Sequence, residues 1–67
     1  MLGFNLNIIN DYMRKNNLSK AKFAKLCNIS PVMLRRFMAH DTSISAVVLF
    51  KVVVVVGCSA DDLIVPY

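Results

Sequence analysis

The chain has 67 residues, 57% of them hydrophobic and 18% charged, with a formal net charge of +4. That length holds one domain, residues 1–67, near the lower size at which a core folds without staples, and it leaves too little chain to wall off a substrate pocket. Cys27 and Cys58 form no C-x-x-C pair and His40 is the single histidine, so no ligand set for zinc is available, and neither a metal nor a cofactor is expected.

Residues 1–5 carry neither a positive n-region nor a cleavage-like site, so no signal peptide is read there and the segment is expected to be a loosely held arm. A first helix is predicted over about residues 7–16. Its buried stripe is Leu6, Ile8, Ile9, Tyr12 and Met13, with Asn10, Asp11, Arg14 and Lys15 outside. Asn16-Asn17 supplies the stop.

Two short helices with a tight turn between them follow, over about residues 19–38. Ser19 and Ser30 are the N-caps, because each hydroxyl can accept a free amide of the opening turn. Pro31 takes the first helical position, where its missing N–H costs nothing. Asn28 tolerates the left-handed conformation that closes the first of the pair, and Ile29 plugs the gap between them. At 100° per residue Phe23, Ala24, Leu26 and Cys27 fall on one side, opposite Ala21, Lys22 and Lys25. In the next helix Leu34, Phe37 and Met38 cluster inward, Val32, Arg35 and Arg36 face away, and Met33 lies at the border. This is the layout of a helix-turn-helix.

Residues 39–44 are polar and read as a surface loop. His40 has no partner for acid–base chemistry and is a loop residue, or at most a phosphate contact. Residues 45–57 are ambiguous, since valine favours strand and weakens a helix. A lone strand has no partner elsewhere in the sequence, however, and Ser45 and Gly57 suit an N-cap and a stop three helical turns apart. A buried helix is therefore predicted. The run is too short for a membrane span of about 20 residues and contains Lys51. Ser59 then caps a short closing helix whose first turn holds Asp61 and Asp62, where the helix dipole favours acids. The apolar tail, residues 65–67, either covers the core or meets a second subunit.

The charge is unevenly spread. Seven Lys and Arg stand against Asp11 in residues 1–36, a net +6, and Lys51 stands against three aspartates in residues 37–67, a net −2. A basic half coinciding with the outward face of the helix-turn-helix is the footprint of a nucleic-acid surface. The sequence has no paired carboxylate and no nucleophile with a base, which argues against an enzyme and a small-molecule substrate.

From about Ile8 to Ile64 the chain resembles the phage-repressor class of helix-turn-helix domains, the Cro and lambdoid repressor (XRE) type. The resemblance rests on L-S-K-A-K-F-A-K-L-C-N-I-S-P-V-M-L-R-R-F, on a fourth helix ending at Gly57, and on C-S-A-D-D-L-I. Departures are Asn28 and His40 where the family commonly has glycine, and Met13 with Met38 where many members pair an arginine with a glutamate. An apolar pair can replace a buried ion pair without loss.

The resemblance implies an all-α, compact five-helix, lambda-repressor-like domain with its helix-turn-helix at helices 2 and 3. Helix 3 would lie in the major groove and helix 2 across the backbone. Pro31, Val32, Met33 and Arg36 then occupy positions that approach base edges. Lys20 and Ser43 match regions that touch the DNA backbone. The helical wheel adds Arg35, and free amides near Ser19 and Ser30 suit phosphate.

The reading is a sequence-specific cytoplasmic transcriptional regulator, a repressor, that binds a palindromic operator in double-stranded DNA as a homodimer. The alternative keeps the fold but uses Val32 and Met33 to meet a protein.

Overall fold

Four of the five helices in the computed structural model, which describes residues 1–67, begin at a serine. After a first strand β1 (Leu2–Phe4), the chain forms α1 (Leu6–Lys15), α2 (Lys20–Leu26), α3 (Pro31–Met38), α4 (Ala46–Val56), α5 (Ala60–Leu63) and a second strand β2 (Ile64–Pro66). Ser19, Ser30, Ser45 and Ser59 accept the amides of Lys22, Met33, Val48 and Asp62 at 3.2, 3.1, 3.2 and 3.3 Å. Asn5 does the same for α1 through the amide of Asn7. Each cap satisfies a donor that the helix itself leaves free.

The helix ends follow an equally local rule. After α1, α2 and α3 the chain turns through Asn17, Asn28 and His40 at φ 53°, 57° and 58°, and α4 ends at Gly57 with φ 79°. The amides of Leu18, Ile29 and Asp41 then reach back to the carbonyls of Met13, Ala24 and Arg36 at 2.8, 3.0 and 3.0 Å. This is the Schellman closure. Asn28 and His40 therefore do the work that Gly57 does at the end of α4.

The two ends of the chain correct the all-α expectation. Residues 1–5 are not a loose arm. β1 pairs antiparallel with β2, with Leu2 opposite Pro66, Gly3 opposite Val65 and Phe4 opposite Ile64. The apolar tail is thus taken up by the N-terminal strand of the same chain. Phe4 is fully buried and meets Phe37 edge-on at 5.9 Å. His40 lies in the loop between α3 and α4, as expected, and is held there by packing. Its ring stacks on Tyr67 at 4.5 Å, while Tyr67 donates its hydroxyl to the Thr42 carbonyl at 2.7 Å. A Cβ on Gly3 would lie 2.7 Å from His40 and 2.8 Å from Tyr67, so the close approach of β1 to that stack requires glycine.

Phe23, Ala24, Leu34, Phe37, Val52 and Leu63 belong to one core into which all five helices and β1 send side chains. Two burial expectations fail. Leu26 was placed with the inward side of α2 but is 54% exposed. Phe23, Ala24 and Cys27 fill that side in so short a helix, and Leu26 turns outward with Lys22 and Lys25. The Val-rich segment is helical as predicted, yet α4 is not buried on all sides. Val52 is its fully buried residue, while Val47, Phe50 and Val54 are exposed. A helix packed on one side of a small domain leaves its other face in solvent, whatever that face is made of.

Cys27 is buried at the end of α2, and burial pushes its thiol up to about 11. It is a neutral packing residue at ordinary pH. Cys58 is half-buried, and both cysteines are free thiols.

Candidate nucleic-acid interface

The turn from α2 into α3 is set by local chemistry. Cys27 ends α2, Asn28 takes the left-handed conformation, Ile29 is half-buried, and Ser30-Pro31 starts α3. Lys51 of α4 donates to the Asn28 carbonyl at 3.2 Å, which places a cation at the C-terminal end of α2, where the helix dipole favours it.

That geometry determines which side chains α3 shows to solvent. Leu34 and Phe37 are 0% and 3% exposed and hold the inner side, while Val32 is 55% and Met33 36% exposed. Pro31, Arg35 and Arg36 are exposed as well. The outward face thus combines two guanidiniums with two apolar side chains in its first turns. Neither arginine pairs with a carboxylate, because the single ion pair in the structure is Arg14 with Asp11, at 2.6 Å on the exposed surface of α1. An unpaired guanidinium keeps its full donor fork available, which suits a guanine edge or a phosphate.

Lys20, at the first position of α2, is also exposed and unpaired. Ser30 keeps its hydroxyl on the Met33 amide, so it acts first as the cap of α3. Between the two helices lies an open cleft of about 470 Å³ lined by Ala21, Lys25, Asn28, Ile29, Ser30 and Pro31. Lys25 was not among the residues singled out from the sequence, although its place on the outward side of α2 was the available signal. It brings a fourth cation, after Arg35, Arg36 and Lys20, to the edge where α3 begins.

Ser43 stands apart from this group. Its hydroxyl accepts the Leu2 amide at 3.1 Å and approaches the Leu2 carbonyl at 3.4 Å, so it ties the loop before α4 to β1. The candidate interface is therefore the N-terminal end of α2 and the outward face of α3, with Ser43 occupied elsewhere.

No group of three or more His, Cys, Asp or Glu residues lies close enough to hold a metal ion. No helix is long and apolar enough to cross a membrane.

No curated protein and no solved structure matches the chain. A family model described as helix-turn-helix matches residues 9–63, from the middle of α1 to the end of α5. That span holds the motif whose outward face carries the unpaired cations, and it covers most of the chain, so this protein belongs to the XRE/Cro-like helix-turn-helix family of DNA-binding regulatory domains.

Proposed function

We propose that residues 1–67 act as one sequence-specific DNA-binding unit, a transcriptional repressor that inserts α3 into the major groove of a palindromic operator and binds as a homodimer in the cytoplasm. The observation that carries this reading is the pair of unpaired arginines beside exposed Val32 and Met33 on one face of α3, next to Lys20 at the start of α2.

Each residue has a distinct task. Arg36 donates two hydrogen bonds to O6 and N7 of a guanine, the commonest specific protein–DNA contact. Val32 and Met33 offer no hydrogen bonds and pack on thymine methyl groups, with Pro31 closing the approach to the base edges. Arg35, Lys20 and Lys25 hold phosphates, and the amides of α3's first turn beyond the Ser30 cap favour an anion in the same place. Sequence preference then comes from the arginine and the apolar pair, and most of the raw affinity from the phosphate contacts.

The test is selection of binders from a random duplex library at two salt concentrations. The expected result is an enriched palindrome with half-sites about one helical turn apart, bound less tightly as salt rises. Enrichment of nothing, with binding that vanishes at moderate salt, would refute sequence-specific recognition. A second reading, a protein-binding module, is favoured by the exposed apolar surface of Val32 and Met33. It predicts a partner whose binding survives high salt and is lost in Val32→Glu.

A further inference from the structure

Two long-range hydrogen bonds connect residues 19–40, the helix-turn-helix, to the rest of the chain, and they fall at the two ends of α3. Lys51 Nζ donates to the Asn28 carbonyl at 3.2 Å across 23 positions of sequence, and the His40 ring reaches the Phe4 carbonyl at 3.4 Å. The two ends are not equally secured. At the exit of α3, Phe37 is buried against Phe4 and His40 is stacked on Tyr67. At its entry Ser30, Pro31, Val32 and Met33 are all exposed, and the first buried residue is Leu34. The Asn28 carbonyl stands just ahead of that exposed turn and accepts from no other group of the chain.

We infer that Lys51 is a positioning residue for DNA recognition: from α4 it holds the turn between α2 and α3, and with it the entry of α3, at the angle that reads bases. The inference rests on the DNA-binding reading above and adds to its specificity a residue that lies outside the motif.

Lys51 is placed for that task. Val52 beside it is fully buried and Val48 is half-buried, so α4 gives the ammonium a fixed base. Lys51 is itself half-buried, is the one charged residue of α4, and pairs with no carboxylate. Its partner carbonyl lies at the C-terminal end of α2, where the helix dipole adds to the attraction. Lys20 stands at the other end of that helix. The Lys51 charge is thus spent on the turn, and the Lys20 charge is left for phosphate.

Small rotations matter at this place. α3 has eight residues and is about 12 Å long. Turning it by about 5° about its buried exit moves its entry by about 1 Å, whereas a base-reading constellation has to be held within about 0.5 Å. A lysine on a flexible stem follows such a shift and keeps its phosphate. Losing the Lys51 contact therefore affects the matched complex and spares non-specific binding.

Competition titrations of wild type, Lys51→Met and Lys51→Arg test the inference, with the duplex enriched in the selection above and a scrambled duplex at several salt concentrations. Methionine keeps an unbranched stem and removes the donor and the charge. Lys51→Met should bind the enriched duplex about 3- to 10-fold more weakly, bind the scrambled duplex like the wild type, and keep the wild-type salt dependence. Lys51→Arg should restore the enriched duplex. Equal weakening on both duplexes, with a salt dependence shallower by about one counterion, would make Lys51 a phosphate contact and overturn the inference.

Hydrogen exchange in the free protein tests the geometry without DNA. The Ile29 amide, bonded to the Ala24 carbonyl at 3.0 Å, should exchange several-fold faster in Lys51→Met, while the Leu63 amide of α5 keeps its wild-type rate. An unchanged rate at Ile29 overturns the inference whatever the duplexes show. A wild type that distinguishes the duplexes beside a Lys51→Met that does so equally well overturns the inference alone. A selection that enriches nothing overturns sequence-specific recognition and this inference together.

Discussion

α3 and α4 open in the same way and present opposite chemistry outward. Each begins at a serine that caps the amide of the third helical residue, and each buries one side in the common core through Leu34 and Phe37 or through Val52. Outside, α3 shows Arg35 and Arg36 among Val32 and Met33, whereas α4 shows Val47, Phe50 and Val54 with no charge between them. Guanidiniums attract a polyanion over a Debye length and remain well hydrated when free. Bare valine and phenylalanine act only at contact and gain only when water leaves. Exposed apolar surface by itself does not mark a nucleic-acid interface. The cations that accompany it decide the matter.

The sharpest way to break the comparison is to test whether α3 really has an inner and an outer side. Leu34→Ala should destabilise the fold by about 2–5 kcal/mol through lost burial and the cavity left behind, measured by chemical denaturation. Val32→Ala should stay within about 0.5 kcal/mol. Equal losses would mean that the outward face is packed.

The next test separates the roles within the basic surface. Arg36→Ala should cost about 1–3 kcal/mol of discrimination at one base position. Lys20→Ala should weaken all duplexes alike and make the salt dependence shallower by about one counterion. Competition titrations against matched and mismatched sites, at several salt concentrations, read both. Identical behaviour of the two variants would dissolve the distinction between base and phosphate contacts.

A third test probes the core that both helices share. The Cys27 thiol ionises at about 11 in the folded chain against 9.0 without burial. The unfolded chain therefore loses its proton first. The stability contributed by the neutral thiol is complete below pH 9 and is lost as pH rises towards 11. A decline on the order of 1–2 kcal/mol over that window is expected, and Cys27→Val should flatten it in thermal melts recorded at stepped pH. An unchanged slope in Cys27→Val would assign the alkaline loss to other groups.

The smallest effects concern the caps. Ser30→Ala and Ser45→Ala should each cost about 1 kcal/mol, because one amide of the first turn loses its acceptor in each case. A much larger loss at Ser45 would mean that the Val-rich α4 depends on its cap more than α3 does.

Much of this architecture was legible from neighbouring residues. Caps at Ser19, Ser30, Ser45 and Ser59, the stops at Asn28 and Gly57, and the outward placement of Val32, Arg35 and Arg36 all depend on interactions within a few positions of chain. The helical state of α4 was legible too, since its caps outweighed the strand preference of valine once no partner strand was available. The candidate site was readable for the same reason. It lies on two consecutive helices joined by a turn whose conformation Asn28 determines.

What the sequence by itself determined, then, is where each helix starts and stops and which chemistry its faces carry. Tertiary structure alone decided which faces are covered. β1 and β2 are three residues each and become strands only because chain segments some 60 residues apart meet. Neither carries a local pattern long enough to announce it. Ser43 and His40 are drawn to that same seam by Leu2 and Tyr67 at the chain's two ends. Leu26 and the stripe on α4 stay outside, while Phe4, Phe23 and Phe37 occupy the core. Capping and turn chemistry act between residues close in sequence, whereas burial is a competition among all the apolar side chains of the chain for one small interior.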